Sequence, residues 1–260
     1  MTTVRVHLCW SSNLPRELRD GVVVVLDLIR ASTTMVRALQ HGAARVIPCM
    51  EPSQAMEAAR AEPGSLLGGE RGGLALPGFD LGNSPDEYTP QRVRGKTVCF
   101  TTTNGTRAIL RARDAGASGV YIGALSNRAA VCRVLMRGNA PHVHLLCAGI
   151  EDRVCLDDTI AAGGYAMLLE STGATIAPVQ DDSTLLAMDA FAQAAGGDIV
   201  ALMKPKVSTL EESLKRSQGG RNLAEIGLLG DLRACAAIDE SVVVPRVREG
   251  STTLEIVATD

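Results

Sequence analysis

Residues 22–48, VVVVLDLIRASTTMVRALQHGAARVIP, carry the pattern that decides the fold. An apolar run is followed by a polar turn, a helical stretch, a Gly-Ala pair and a second short apolar run. Residues 97–123, TVCFTTTNGTRAILRARDAGASGVYIG, repeat the same plan. Strands that alternate with helices at this spacing predict βαβ units and a mainly parallel sheet covered on both faces.

A third and fainter copy of this unit begins at residues 142–149, HVHLLCAG. It continues through the helical stretch 156–170 and ends at residues 175–179, TIAPV. Continuous apolar runs such as residues 22–26 are typical of strands that are buried on both faces. We therefore predict an α/β protein with three layers, α/β/α, and a mainly parallel or mixed sheet built from repeated strand-loop-helix units. Residues 1–260 are taken as one domain, and a subdivision near residue 150 stays open.

The bulk composition excludes several classes of function. The formal net charge of the 260 residues is −3, so no basic field favours nucleic acid. No apolar run approaches the roughly 20 residues that span a bilayer, and the N-terminus lacks the regions of a signal peptide. The seven cysteines contain no CxxC pair and lie mostly in apolar runs. We expect reduced thiols in a cytoplasmic protein that binds neither nucleic acid nor membrane.

The C-terminal residues 241–258, SVVVPRVREGSTTLEIVA, predict a β-hairpin with its turn at residues 248–251. Pro245 lacks a backbone donor, which indicates a strand at the edge of the sheet. An apolar hairpin of this kind is compatible with a homodimer.

Residues 101–107, TTTNGTR, fill the turn between strand and helix in the second unit. The first turn of a helix offers free N–H groups and a favourable dipole for anions. Gly105 permits close approach of the backbone, and Arg107 can bind an anion in bidentate fashion. A simple helix cap is the alternative, but the density of hydroxyl groups favours phosphate. The residues predicted to bind substrate here are Thr101, Thr102, Thr103, Asn104, Gly105 and Thr106.

The equivalent turn of the first unit contains Asp27 at the end of an apolar strand, followed by Arg30. A carboxylate in this position is a metal ligand, a nucleophile or a helix cap. Since a carboxylate would repel a bare phosphate, a divalent cation between the two would resolve the conflict. Mg²⁺ commonly binds through one or two carboxylates and a substrate phosphate.

The third turn contains four acidic residues, which form either a solvated loop or a source of one or two site carboxylates. Asp158 is the preferred candidate because it begins a helical stretch just as Asp27 does. The acidic residues of this turn are Glu151, Asp152, Asp157 and Asp158.

Residues 68–96 form a long segment with little periodicity and many Gly and Pro residues. A loop of this length in a compact domain is usually functional or disordered. Glu70, Arg71, Asp80 and Asn83 lie among glycines that let a backbone approach a ligand closely. We therefore predict a functional loop rather than a flexible insertion.

Several strings of the sequence together resemble the 2-phosphosulfolactate phosphatases, a family of the coenzyme M pathway. The resemblance implies Mg²⁺-dependent hydrolysis of (R)-2-phospho-3-sulfolactate, a small anionic phosphorylated substrate, to 3-sulfolactate and phosphate. The chain departs from the family pattern at Asp157, where the pattern has Glu. The strings are DLIRAST (27–33), GGERGG (68–73), GFDLGNSP (78–85), TTTNGTRA (101–108), CAG (147–149), LDDTIAAG (156–163) and GRNLAEIG with D, CAAID and VVP (220–245).

The resulting hypothesis places Asp27, Glu70 and Asp158 on Mg²⁺, with water attacking the phosphate in line. Asp80 is expected to act as general acid or base. A rival mechanism makes Asp27 a nucleophile that forms an aspartyl phosphate. Arg30 and Arg107 are also expected to be catalytic, with Arg107 stabilising charge in the transition state. The other residues predicted to bind substrate are Arg71, Asn83 and Ser84.

Two alternatives belong to other classes of function. One is a phosphatase that acts on another small phosphorylated carboxylic acid, and the other is a non-catalytic protein that binds anions.

Overall fold

The computed structural model describes residues 2–10, 18–19, 21–176, 182–197, 202, 205–250 and 254–259. Eleven strands of this part of the chain form one sheet. They are β1 Thr3–His7, β2 Gly21–Leu26, β3 Arg45–Cys49, β4 Leu66–Arg71, β5 Leu74–Ala75, β6 Thr97–Thr101, β7 Gly119–Gly123, β8 His142–Cys147, β9 Thr175–Ile176, β10 Val244–Glu249 and β11 Leu254–Thr259.

Ten helices of the described residues connect or follow these strands, and none of them is long and apolar enough to cross a bilayer. They are α1 Ala31–Gln40, α2 Pro52–Ala61, α3 Pro90–Val93, α4 Gly105–Asp114, α5 Arg128–Arg137, α6 Leu156–Ser171, α7 Ser183–Ala195, α8 Val207–Leu214, α9 Gln218–Glu225 and α10 Asp231–Ala236.

The sheet is mixed, with the strand order β5-β4-β6-β3-β11-β10-β7-β2-β8-β1-β9. Parallel pairs join strands of different units, as in β2 with β7 and β8 and in β3 with β6. The α/β class and the mixed sheet are confirmed. The prediction that each unit is a parallel βαβ pair was wrong for the first two units, because β2 is separated from β3, and β6 from β7, by other strands. The last residues of the third unit, 177–179, lie outside the described residues.

The C-terminal hairpin is present, but the prediction of an edge strand was wrong. Strands β10 and β11 lie in the middle of the sheet, between β7 and β3. Pro245 is tolerated because β10 and β7 are paired only at Arg246 and Tyr121, so few ladder hydrogen bonds are needed there. Residues 248 and 249 belong to β10, and residue 251 of the predicted turn lies outside the described residues. Because the hairpin is enclosed by the sheet, it gives no support to the predicted homodimer.

The alternating side chains of β2 show how the two faces of the sheet are covered. Val23 and Val25 pack into a cluster with helices α1 and α4. Val24 and Leu26 point to the opposite face and pack with helices α5, α6 and α7. A strand that is buried on both faces has a continuous apolar sequence. This is why residues 22–26 predicted a buried strand so clearly.

The sheet curls strongly around the cluster that contains α1 and α4. Strands β2 and β6 are five positions apart in the sheet. At a spacing of about 4.8 Å a flat sheet would separate them by about 24 Å. Val25 of β2 and Phe100 of β6 nevertheless share one apolar cluster. The loops that follow these two strands, residues 27–30 and 102–104, are thereby brought to the same place.

The prediction of one long loop over residues 68–96 was wrong at its start, where residues 66–71 form strand β4. Two glycines concealed the strand, because glycine weakens strand propensity. Gly69 has φ +133°, and a Cβ atom there would lie 2.0 Å from the main-chain oxygen of Thr101. The glycine thus lets β4 lie close against β6. Glu70 is the next residue of the strand.

Candidate active site

A cavity of about 380 Å³ lies where the loops after β2, β4 and β6 meet helix α9. Its wall includes Asp27, Arg30, Glu70, Asn83 and Thr103. These residues come from four of the strings that the sequence singled out. The cavity is therefore at the carboxyl ends of strands, where ligands bind in open α/β sheets.

Asp27 is the central ionisable group of this cavity and is only 9% exposed. Burial raises its pKa from 3.8 to about 7, and the charges of Asp157 and Glu70 add to the increase. The backbone N–H groups of Ala31, at 3.2 Å, and Gly105 donate to the carboxylate and partly offset these effects. A carboxyl with a pKa near 7 can exchange a proton or bind a cation at neutral pH.

Gly105 begins helix α4 at van der Waals distance from Asp27. A Cβ atom at this position would lie 2.8 Å from Asp27 Oδ2 and 3.0 Å from Ala31 Cβ. Only glycine allows the N-terminus of α4 to approach the carboxylate this closely. Gly105 was predicted to let the backbone approach a bound anion closely. In the structure, the group that it approaches is the carboxylate of Asp27.

Glu70 joins two of the loops that form the cavity. Its Oε1 accepts hydrogen bonds from the N–H of Thr103 at 2.9 Å and from the Thr103 hydroxyl at 3.0 Å. Its Oε2 accepts from the N–H of Gly73 at 2.8 Å. The carboxylate is buried, and its charge helps to raise the pKa of Asp27. Glu70 and Asp27 therefore concentrate negative charge in one enclosed space.

Arg30 also lines the cavity, but its guanidinium is held by residues that the sequence analysis did not join to it. Nη1 donates to Asp231 Oδ2 at 2.6 Å, and Nη2 donates to the Gly73 oxygen at 2.5 Å. The Ser84 hydroxyl donates to the other oxygen of Asp231 at 2.5 Å. Arg30 and Asp231 are 4% and 6% exposed. Asp231 therefore fixes Arg30 in the wall and ties helix α10 to the loop that contains Ser84.

We expect Asp231→Asn to lower the free energy of unfolding by about 3–5 kcal/mol, because removing one partner leaves the buried charge of Arg30 uncompensated. Urea denaturation measures the change. The double variant Arg30→Met/Asp231→Leu is the matched control, since it removes both charges and should be less destabilised than Asp231→Asn. Equal stability of Asp231→Asn and the wild type would contradict this account of the ion pair.

The two acids at the start of α6 lie next to the Asp27 loop, and they have different surroundings. Asp158 accepts from the N–H of Leu28 at 2.8 Å and from the N–H of Gly149 at 2.9 Å. Burial, then the charges of Asp157 and Asp27, raises its pKa well above the ordinary value. Burial likewise raises the pKa of Asp157. With both oxygens engaged, Asp158 joins the loops after β2 and β8.

The three predicted metal ligands do not form a closed cage. No group of three His, Cys, Asp or Glu side chains has metal-binding geometry within the part of the chain that the structure describes. Asp158 does not line the cavity, whereas Asp27 and Glu70 both do. Two carboxylates are sufficient for Mg²⁺, which usually keeps several waters and uses substrate phosphate as a ligand.

Asn83 provides a further oxygen in the same wall. Its side chain is 5% exposed, and its Oδ1 has no hydrogen-bond partner among the described residues. Its main-chain oxygen accepts from the Thr34 hydroxyl at 2.9 Å, which fixes the backbone. A buried polar atom without a partner is costly, and a bound ligand commonly satisfies it. The residues present thus fit a cation or a polar substrate in the cavity.

Eight of the predicted site residues lie outside the cavity wall, namely Arg71, Asp80, Ser84, Thr101, Gly105, Thr106, Arg107 and Asp158. Arg71 donates to the main-chain oxygens of Glu70 and Met50, at 2.7 and 2.8 Å, and to the hydroxyl of Thr101 at 3.0 Å. These contacts place Arg71 and Thr101 beside the cavity rather than in it. Arg107 is exposed on helix α4.

Asp80 is directed to the opposite end of strand β4. Its Oδ2 accepts from the N–H of Leu67 at 2.8 Å. Leu67 is three residues before Glu70, which corresponds to roughly 10 Å along a strand. The structure therefore does not bring the predicted acid-base residue to Asp27. Thr106 is also outside the wall, buried beside Thr102, whereas Thr102 and Asn104 line the cavity.

Comparison with known proteins agrees with this arrangement. Residues 10–250 match the family described as 2-phosphosulpholactate phosphatase. The chain belongs to the 2-phosphosulfolactate phosphatase family. A protein of Symbiobacterium thermophilum named "Probable 2-phosphosulfolactate phosphatase" is 40% identical over 247 residues, which cover 93% of this chain and 98% of the relative. A protein of the same name from Deinococcus radiodurans is 36% identical over 247 residues, covering 95% of this chain and 94% of the relative.

Several residues in or beside this cavity of the 2-phosphosulfolactate phosphatase family member were not predicted from the sequence. Asp231 was part of the resemblance but received no role, and Asp157 was passed over in favour of Asp158. Asn222, Leu223 and Ile226 of the α9 region line the cavity. These three residues belong to the string GRNLAEIG (220–227), which was part of the family resemblance. That string was the one feature of the sequence that could have indicated their place in the site.

Proposed function

We propose that this chain hydrolyses (R)-2-phospho-3-sulfolactate to 3-sulfolactate and phosphate in the cavity around Asp27. The observation that carries the proposal is the buried Asp27 carboxyl, with its pKa raised to about 7, in a cavity lined by residues of five family motifs. Membership in a family of phosphoric monoester hydrolases supports the reaction class.

The loop between β6 and α4 is the best place for the phosphoryl group. Thr102, Thr103 and Asn104 line the cavity immediately before helix α4. N–H groups at the start of a helix, together with hydroxyl groups, suit a phosphate. The N–H of Gly105 already faces Asp27, so we assign phosphate binding to the three residues before it.

Asp27 and Glu70 would hold Mg²⁺, with the side-chain oxygen of Asn83 within the same wall. The cation would neutralise phosphate charge and provide the nucleophile at neutral pH. All three donors are oxygens, as Mg²⁺ requires. The pKa of Asp27, raised by burial and by Asp157 and Glu70, supports a cation here, since a positive charge would relieve the repulsion among the carboxylates.

Asp27 itself has two roles open to it. In the first, it accepts a proton from the attacking water while the ester oxygen leaves with sulfolactate. In the second, Asp27 attacks phosphorus, the bond from phosphorus to the ester oxygen breaks, and water then hydrolyses the aspartyl phosphate. We favour the first, because both backbone N–H donors hold the carboxylate in place. Net retention of configuration at phosphorus, which two successive displacements would produce, would contradict the first role.

Phosphate release from racemic 2-phospho-3-sulfolactate, with 2-phospholactate beside it, tests the proposed substrate. With Mg²⁺ present, we expect faster release from the compound that carries the sulfonate. Equal rates would favour a phosphatase for other small phosphorylated carboxylic acids. No release from either compound would overturn the proposed function.

We place the enzyme in the cytoplasm, as a step that supplies 3-sulfolactate to coenzyme M biosynthesis. All seven cysteines are buried, and none of them forms a disulfide. Thiols in this number without a disulfide are typical of a reducing compartment.

A further inference from the structure

A second cavity of about 520 Å³ adjoins the one that contains Asp27. Ile150, Glu151 and Asn222 belong to the walls of both. The two spaces therefore adjoin along the loop after β8 and the middle of helix α9.

The two cavities differ in the charge of their walls. In the first, the one arginine is Arg30, and its charge is already balanced by Asp231 at 2.6 Å. In the second, three arginines accompany the shared Glu151. The carboxylates of the first wall belong to Asp27, Glu70, Glu151 and Glu225. The arginines of the second wall are Arg153, Arg216 and Arg221.

The guanidinium groups of the second cavity differ in their availability. Arg221 donates to the main-chain oxygen of Arg216 at 2.5 Å and to Gln218 Oε1 at 2.9 Å. The side chains of Arg153 and Arg216 make no hydrogen bond or ion pair with the residues that the structure describes. Arg153 is fixed at its backbone, where it exchanges two hydrogen bonds with Ile150, at 2.9 and 3.0 Å. Arg153 and Arg216 thus present free donors toward an anion.

The proposed substrate needs such a second anion site. Its phosphate and its sulfonate are separated only by the ester oxygen and two carbons, so both must lie in neighbouring spaces. A sulfonate is ionised at every physiological pH and offers three acceptor oxygens. The acidic wall around Asp27 would repel it, whereas a planar guanidinium matches such an oxyanion well.

We propose that Arg153 and Arg216 form the subsite that binds the sulfonate of the substrate. The inference rests on the proposed function, because it assumes that the phosphate occupies the cavity at Asp27. It assigns substrate discrimination to two exposed side chains outside the family motifs that surround Asp27. The sulfonate, rather than the phosphate, is the group these arginines recognise.

Arg153→Ala, Arg216→Ala and the double variant test the subsite by their effect on two substrates. We expect each single variant to raise KM for 2-phospho-3-sulfolactate roughly tenfold, the effect of losing a charge-assisted hydrogen bond. The KM for 2-phospholactate, which lacks the sulfonate, should change less than twofold. Arg133→Ala is the control, since it removes an exposed arginine of helix α5 that lines neither cavity.

Unchanged kinetics with both substrates, or an equal loss with both, would overturn the subsite. Failure of the proposed function gives a different result, in which the wild type releases phosphate from neither compound. In that case, calorimetric titration with 3-sulfolactate and with lactate still tests the subsite. Tighter binding of 3-sulfolactate that is lost in the double variant would support it, and equal binding of both acids would overturn it.

Discussion

Asp27→Asn is expected to abolish phosphate release while making the protein more stable at pH 8. The loss of activity should be at least about 10³-fold, because the variant removes the carboxylate that we propose as both a metal ligand and a proton acceptor. The gain in stability follows from the raised pKa of Asp27 in the folded protein, which means that folding disfavours its charged form.

The magnitude can be bounded from the pKa of Asp27. An increase from 3.8 to about 7 corresponds to a cost of about 4 kcal/mol for ionised Asp27 in the folded state. Asn replaces one acceptor oxygen with a donor, which costs about 1–3 kcal/mol beside the N–H groups of Ala31 and Gly105. We expect a net gain of about 1–3 kcal/mol, or roughly 2–12 °C in Tm.

The pH dependence of this gain has a definite sign. Above pH 7 wild-type Asp27 is charged in both the folded and the unfolded states, so the full cost is present. As the pH falls from about 7 to about 4, the folded protein takes up the proton first and the cost disappears. The advantage of Asp27→Asn should therefore be greatest at pH 8 and absent near pH 4.

Thermal unfolding with EDTA, at pH 8 and at pH 4, measures the effect. Asp189→Asn, which removes an exposed carboxylate of helix α7, is the control and should change neither activity nor stability. An Asp27→Asn protein that keeps its activity, or that fails to fold, would remove the support for Asp27 as the catalytic centre.

Glu70→Gln should produce the second largest loss. The two Oε atoms of Glu70 accept hydrogen bonds from Thr103 and Gly73, so the amide nitrogen of Gln must face an N–H donor. The variant also removes a charge from the proposed cation site. We expect the Mg²⁺ concentration that gives half-maximal activity to rise by roughly 10–100-fold, together with a lower kcat.

A Mg²⁺ titration of activity measures this change. Glu57→Gln, on the exposed face of α2, is the matched control. The acidic limb of the pH profile should also move to lower pH, because the charge of Glu70 contributes to the raised pKa of Asp27. An unchanged Mg²⁺ requirement would remove Glu70 from the cation site.

The sequence predicted the parts of the fold that depend on local periodicity. The three repeated units and the polar turns at the ends of their strands are present. The position of the C-terminal hairpin was not predictable in this way, because its place between β7 and β3 depends on pairing between distant segments. The glycines of β4 allow the strand to pack closely against β6. In a single sequence, a segment rich in glycine is more typical of a loop, which is why the strand was not predicted.

The errors within the site have simple geometric causes. Successive residues of a strand face opposite sides, so the strand that directs Glu70 into the cavity turns Arg71 away from it. Arg107 is two residues after Gly105 in α4, about 200° around the helix axis, and therefore points to solvent. Asp231 is 201 residues from Arg30 in the chain, and no local pattern could have joined them.

The most direct test of the account is the rate of phosphate release from (R)-2-phospho-3-sulfolactate, measured with Mg²⁺, then with excess EDTA, then with Mg²⁺ restored. We predict rapid release that EDTA abolishes and Mg²⁺ restores. Release that continues in EDTA would contradict the cation at Asp27 and Glu70. No release in any of the three conditions would contradict the assignment of this cavity as a 2-phosphosulfolactate phosphatase site.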